Sequence, residues 1–211
     1  MVGQERIVAV DDVSLSVAAG EFVCVYGASG SGKTTLLNLM SGIDVPDSGS
    51  VLFGDLTLSE LSEQGRADAR LNGIAVVFQT NNLLDEFTAH ENVALPLLVR
   101  GWSRSDADQA SARALKAMEL GALGDRLPGE LSGGQHQRVG IARALAAGHR
   151  LLIADEPTGA LDSSNSRELF VRLRQLCDDE GTAVVVATHD PLAREFATVV
   201  HHMVDGAVDQ Q

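Results

Sequence analysis

The stretch "EFVCVYGASGSGKTTLLNLM" (21–40) decides the fold, because an apolar run, a glycine-rich turn and the start of a helical pattern follow one another without a break. "EFVCVYG" (21–27) has the length and Val-rich character of a buried strand. "GASGSGKT" (27–34) then meets the spacing G-x-x-x-x-G-K-[ST] in the strand-to-helix context that a phosphate-binding loop requires. Gly27, Ala28, Ser29, Gly30, Ser31 and Gly32 would bring backbone N–H groups around a β-phosphate. Lys33 would meet the β and γ charges, and Thr34, followed by Thr35, would offer its hydroxyl to Mg2+. The alternative is a glycine-rich turn that binds nothing; the lysine and threonine in the required places argue against it.

Working outward, three more short apolar runs read as buried, largely parallel strands: "GIAVVFQ" (73–79), "RLLIADE" (150–156) and "TAVVVAT" (182–188). Helical patterns alternate with them at 33–41, ending at Gly42, at about 105–120 with Ser103 or Ser105 as cap, at 132–147, and at about 163–180, ending at Gly181. The class is therefore α/β, with a mostly parallel sheet. "VAVDDVSLSVAAGE" (8–21) shows partial period-2 alternation and predicts antiparallel strands flanking the main sheet. Residues 80–145 carry helical patterns and no convincing strand, so they read as a helical insertion between the two parts, 1–79 and 146–211, of one core.

At 211 residues and 45% apolar, the chain suits one domain with a subdomain inserted. Acids outnumber bases 29 to 16, and the net charge of −13 argues against a nucleic-acid partner, which normally meets a basic face. Cys24 and Cys177 show no metal spacing and read as buried thiols, in keeping with a reducing compartment. No apolar run reaches the ~18–20 residues of a membrane span, and "MVGQERIVAV" (1–10) lacks the pattern of a secretory leader. A cytoplasmic protein is expected, with any membrane role exercised through a partner.

"LLIADE" (151–156) ends an apolar strand on two acids, a costly place for charge unless a cation or a catalytic water uses it. Asp155 would hold Mg2+ through water, and Glu156 would polarise the attacking water as general base. Gln79, at the edge of the insertion, could touch Mg2+ and water, although a surface glutamine is the plainer alternative. His189, at the end of another strand, could reach a γ-phosphate.

A second helix start raises a different question. In "LSGGQHQR" (131–138), Ser132 and Gln135 fit a capping box, a purely structural role. Gly133 and Gly134 between them sacrifice helix stability, which close approach of something to the backbone would explain. A helix N-terminus stripped of side chains is an anion site. If it and the phosphate loop act on one ATP, they most simply come from two chains related by a two-fold axis.

Together, "GASGSGKT", Gln79, "LSGGQHQR", "LLIADE", "GALD" and His189, in this order, resemble the nucleotide-binding subunit of an ABC transporter over essentially the whole chain. The resemblance implies a P-loop NTPase core of RecA-like form, carrying an antiparallel β flank and the helical signature subdomain. It implies ATP hydrolysis with Mg2+ at the loop, and a dimer in which Ser132, Gly133, Gly134 and Gln135 of one copy close on the ATP of the other. Asp162 of "GALD" would cross that interface. Within the family, residues 78–98 and the segments around the signature look most like the branch serving lipoprotein release and macrolide export. The 80–98 segment would then be the groove that receives an integral membrane permease subunit, placing the chain on the inner face of the membrane. Leu83, Leu84, Phe87 and Val93 suit such a contact and suit a helical core equally well.

There are departures. The family stacks adenine on an aromatic near its N-terminus, and counting back from Gly27 puts that residue immediately before Met1, together with the family's first strand. A displaced start or a variant with weakened adenine contact would each account for it. His136 stands where the branch more often has Glu, Gln or Arg. A related cell-division ATPase leaves open a second function, in which the ATP-dependent dimer signals to extracytoplasmic enzymes and moves no substrate. A chromosome-maintenance or ribosome-associated ATPase is disfavoured, since the former needs long heptad arms, the latter normally two cassettes, and acidic charge suits neither.

Overall fold

The computed structural model describes residues 8–80 and 82–209. All four strands expected from apolar runs form: β1 (Phe22–Tyr26), β4 (Ile74–Val77), β5 (Leu151–Asp155) and β6 (Ala183–Thr188). Four more join them, β2 (Leu52–Phe53), β3 (Leu56–Thr57), β7 (Val199–Val204) and β8 (Ala207–Asp209). The main sheet runs β4-β5-β6-β1-β7-β8, parallel throughout except for the antiparallel β7–β8 hairpin, and β2 pairs antiparallel with β3. The antiparallel flank thus exists, but at places other than 8–21.

Residues 8–20 contain no strand. Their alternation is nonetheless physical: Val13, Leu15 and Val17 turn toward the core that contains Val23 and Val25, while Asp12, Ser14 and Ser16 face water. Alternation specifies faces, whereas a strand also needs a neighbour's free N–H and C=O groups. Here the described backbone makes only isolated bonds, from the Asp11 N–H to the Gly206 carbonyl at 2.8 Å and from the Gly20 N–H to the Gly181 carbonyl at 2.9 Å, and no ladder.

Among the described residues six α-helices accompany the sheet: α1 (Lys33–Met40), α2 (Glu63–Gly73), α3 (Ala89–Val99), α4 (Arg104–Ala117), α5 (Gly133–Leu145) and α6 (Ser163–Glu180). Their ends follow local chemistry. Ser103 caps α4, accepting from the Asp106 N–H, and Gly181 closes α6 in the left-handed conformation at φ 68°. Between β4 and β5 the described chain is helical or irregular, α3, α4 and α5 packing on one another. One apolar core lies under α5 and α6 around Phe22, Phe170, Val186 and Leu152; the other lies under α1 around Val25, Leu37 and Val185. Parallel strands buried on both faces need this double cover, which is why their sequences are continuous apolar runs. Cys24 and Cys177 are buried free thiols, as expected.

Candidate active site

The carboxyl ends of β1, β5 and β6 meet at one edge of the sheet, and Asp155, Glu156 and His189 sit there because each ends its strand or follows it directly. After β1 the chain turns through residues 27–34 into α1. Two glycines are dictated by space: a Cβ on Gly27 would lie 2.3 Å from the Met203 carbonyl oxygen, and one on Gly32 only 2.1 Å from that of Ala9. Gly32 also takes φ 103°, a conformation only glycine adopts readily. Ala28, Ser29 and Gly30 are exposed at the tip, while the Ser31 hydroxyl is buried with no hydrogen-bond partner.

Lys33 is buried, and its Nζ donates to the carbonyls of Gly27 at 2.8 Å and Ala28 at 3.0 Å, curling the loop around the ammonium. The same Nζ stands 3.9 Å from Glu156 Oε1. One residue on, Thr34 Oγ1 donates to Asp155 Oδ2 at 2.7 Å, joining the loop to the end of β5. Asp155 Oδ1 is buried without a partner. Burial, foremost, pushes the Asp155 carboxyl above the usual carboxylate range; the Thr34 bond and the charge of Lys33 work against that, and Glu156 adds to it. Thr35 sits half-buried beside Thr34 in the first turn of α1.

Glu156 has its backbone at φ 47°, unusual for a side-chain-bearing residue, in a turn that leaves β5 sharply. Its two carboxylate oxygens are separately held: Thr188 Oγ1 donates to Oε2 at 2.9 Å, and His189 Nδ1 lies 2.9 Å from Oε1. The structure therefore brings His189 to Glu156 and brings Glu156 to Lys33. Gln79 is placed differently from the expectation, since β4 stops at Val77 and Gln79 is exposed in the turn after it. Asp162 is also exposed, and it caps α6 by accepting from the Asn165 N–H at 2.9 Å. That bond, first of all, holds its pKa below the usual range.

The capping box at the start of α5 is present: Ser132 Oγ accepts from the Gln135 N–H at 3.3 Å, and Gln135 Oε1 accepts from the Ser132 N–H at 2.9 Å. Among the described residues no hydrogen bond or ion pair joins Ser132, Gly133, Gly134 or Gln135 to the loop 27–34. The two glycines turn out to differ. A Cβ on Gly134 would meet the Ala160 carbonyl oxygen and Leu161 Cδ2, both at a tight 3.2 Å, so the chain's own turn favours a small residue there. On Gly133 it would meet only Ala160 Cβ, at an ordinary 3.8 Å. Sequence reasoning passed over two buried residues of the site, Thr188 and Gln137. The signal for Thr188 was its position between an apolar strand and His189, where a hydroxyl has no apolar reason to be. In the 80–98 segment, Val93 belongs to the core and Leu83 packs half-buried on it, while Leu84 and Phe87 are exposed.

A family model described as ABC transporter matches residues 10–159. The lipoprotein-releasing system ATP-binding protein LolD of Bordetella pertussis is 44% identical over 207 residues, covering 97% of this chain and 88% of that protein. The protein of the same name from Syntrophotalea carbinolica is 42% identical over 206 residues, 98% of this chain and 91% of that one. Among solved structures, the dimeric ATP-binding cassette MJ0796 bound to ADP and Pi in a post-hydrolysis state aligns with a TM-score of 0.95 at 37% identity, over 100% of this chain and 92% of that chain. Fold, site geometry and relatedness agree, and the chain belongs to the ABC transporter family, as an ATP-hydrolysing nucleotide-binding subunit.

Proposed function

We propose that two copies close head-to-tail on two ATP molecules, hydrolyse them, and drive an integral membrane permease in extraction or export of the lipoprotein-release kind. The observation that carries the dimer is the exposed start of α5, which no bond ties to its own phosphate loop. The solved relative MJ0796 is described as a dimer, which supports the same arrangement. In it, Gly27, Ala28, Ser29, Gly30, Ser31, Gly32, Lys33, Thr34 and Thr35 hold the phosphates of one ATP. Ser132, Gly133, Gly134 and Gln135 of the other copy complete the site, and Asp162 faces the partner.

The donor set at the end of β5 fits Mg2+. Asp155 Oδ1 is a buried oxygen without a partner, and a cation offsets the desolvation that raises its pKa. Thr34, Asp155 and Gln79 would hold the ion, which when bound neutralises phosphate charge. Glu156 takes the proton of the attacking water, and His189, hydrogen-bonded to its carboxylate, fixes that group and faces the γ-phosphate.

Residues 80–145 serve as the signature subdomain and present the permease contact along 80–98. Asn92 supports this: it is buried, and its amide bonds the Leu84 and Phe87 carbonyls at 3.0 and 2.9 Å, fastening the loop that exposes Leu84 and Phe87. No described helix is long and apolar enough to cross a membrane, so association with the inner face goes through that permease. The names of the LolD relatives favour lipoprotein release over the signalling alternative.

Glu156→Gln tests the reading. The variant is expected to bind ATP, to lose turnover and to accumulate as an ATP-bound dimer in size-exclusion chromatography with ATP and Mg2+. A variant that stays monomeric under those conditions sinks the sandwich.

A further inference from the structure

Gln137 lies one turn after Gly134 on the same face of α5, and it is 1% exposed. A buried amide must satisfy both its ends. Those of Gln137 go to the two ends of one turn: Nε2 donates to the Glu156 carbonyl oxygen at 3.1 Å, and Oε1 accepts from the Ala160 N–H at 3.1 Å. The Glu156 carbonyl that it grips belongs to the residue held at φ 47°, a conformation that costs free energy and persists only where the surroundings impose it. Gly134 abuts the same turn, where an added Cβ would press on the Ala160 carbonyl oxygen and Leu161 Cδ2, both at 3.2 Å.

We propose that Gln137 is a positioning residue: it fixes the backbone of Glu156 and makes α5 and the 156–160 turn move as one body. The helix start that closes on one ATP is thereby coupled to the carboxylate that serves the other. The coupling runs within one chain, from Ser132 and Gly133 through Gln137 to Glu156. It rests on the reading of Glu156 as the base and of residues 132–135 as the distal half of the partner's site.

Two variants test it. Gln137→Met keeps the shape and removes both bonds; Gln137→Glu keeps the acceptor for the Ala160 N–H but sets a carboxylate oxygen against the Glu156 carbonyl. Both are expected to lower kcat for ATP by about tenfold or more, while KM and the affinity of the monomer for a fluorescent ATP analogue stay within about twofold. That split separates positioning from loss of fold, which would lower the melting temperature and the folded fraction while leaving the kcat of folded protein intact. Gln137→Glu carries the test alone if Gln137→Met melts below the assay temperature. Either variant folding with kcat within about threefold of wild type overturns the proposal. Should Glu156→Gln itself retain turnover, the underlying assignment of the base has failed instead, so the two failures are told apart.

Discussion

Gly133→Ala puts the reason for a glycine at the start of α5 to a quantitative test. The position is the first residue of the helix, exposed and absent from the residues with positive φ, and an added Cβ would meet only Ala160 Cβ at 3.8 Å. Nothing within the chain therefore requires glycine there. Alanine at a compatible position stabilises by about 0.4–1 kcal/mol, mainly by restricting the unfolded chain. For a domain of this size, with roughly 2–4 °C of melting temperature per kcal/mol, the variant should melt about 1–4 °C higher. If the glycine is kept because a partner's phosphate comes close to its backbone, the more stable variant should lose steady-state ATPase activity by about tenfold or more. Gly134→Ala provides the contrast: its Cβ would press on the Ala160 carbonyl at 3.2 Å, so the helix gain is offset and no rise in melting temperature is expected. Circular-dichroism melts and a coupled ATPase assay decide the matter. A higher melting temperature with unchanged kcat in Gly133→Ala would show that no close approach at this backbone matters for turnover.

Two further outcomes follow from the site and the core. Because burial raises the folded-state pKa of Asp155, the stability it contributes is present at low pH and is lost as pH rises through that pKa. Asp155→Asn, which can still accept from Thr34, should therefore melt above wild type at pH 7–8 without nucleotide and with EDTA, the gap narrowing as pH falls into the carboxylate range; a lower melting temperature at pH 7 contradicts the sign. Burial likewise pushes the Cys24 thiol to about 12 and that of Cys177 to about 11, so a thiol reagent at pH 8 should find neither in the native protein and both after denaturation. One fast-reacting thiol in the native state would count against the buried placement.

Much of this site was legible because its groups follow directly on strand ends. The residues of the loop 27–34, Asp155, Glu156 and His189 are each fixed by an apolar run that any parallel sheet would bury, and Ser132 with Gln135 by a local capping pattern. What local pattern does not contain was missed. Gln137 looks like any polar helix residue until α5 is laid against the turn after β5, 19 residues away in sequence. The β7–β8 hairpin had a usable signal in "VVHHMVDGAV" (199–208), where Asp205 and Gly206 take φ 46° and 84° in the turn. In residues 8–20 alternation gave the correct faces and the wrong element, since pairing depends on a neighbour. "FQ" continues the apolar run and so suggests a strand end at Gln79, yet the chain leaves the sheet at Val77.

The strand order has a consequence for synthesis. Among the described strands of the main sheet β1 is made before the others, but its ladder partners are β6 and β7, with Phe22 opposite Val184 and its N–H bonded to the Thr198 hydroxyl, 176 residues on. Contacts so distant form late, after most of the chain has left the ribosome. The phosphate loop is thus encoded near the beginning and acquires its walls near the end. A growing chain carries the most recognisable sequence in the protein long before it has a place to hold a nucleotide.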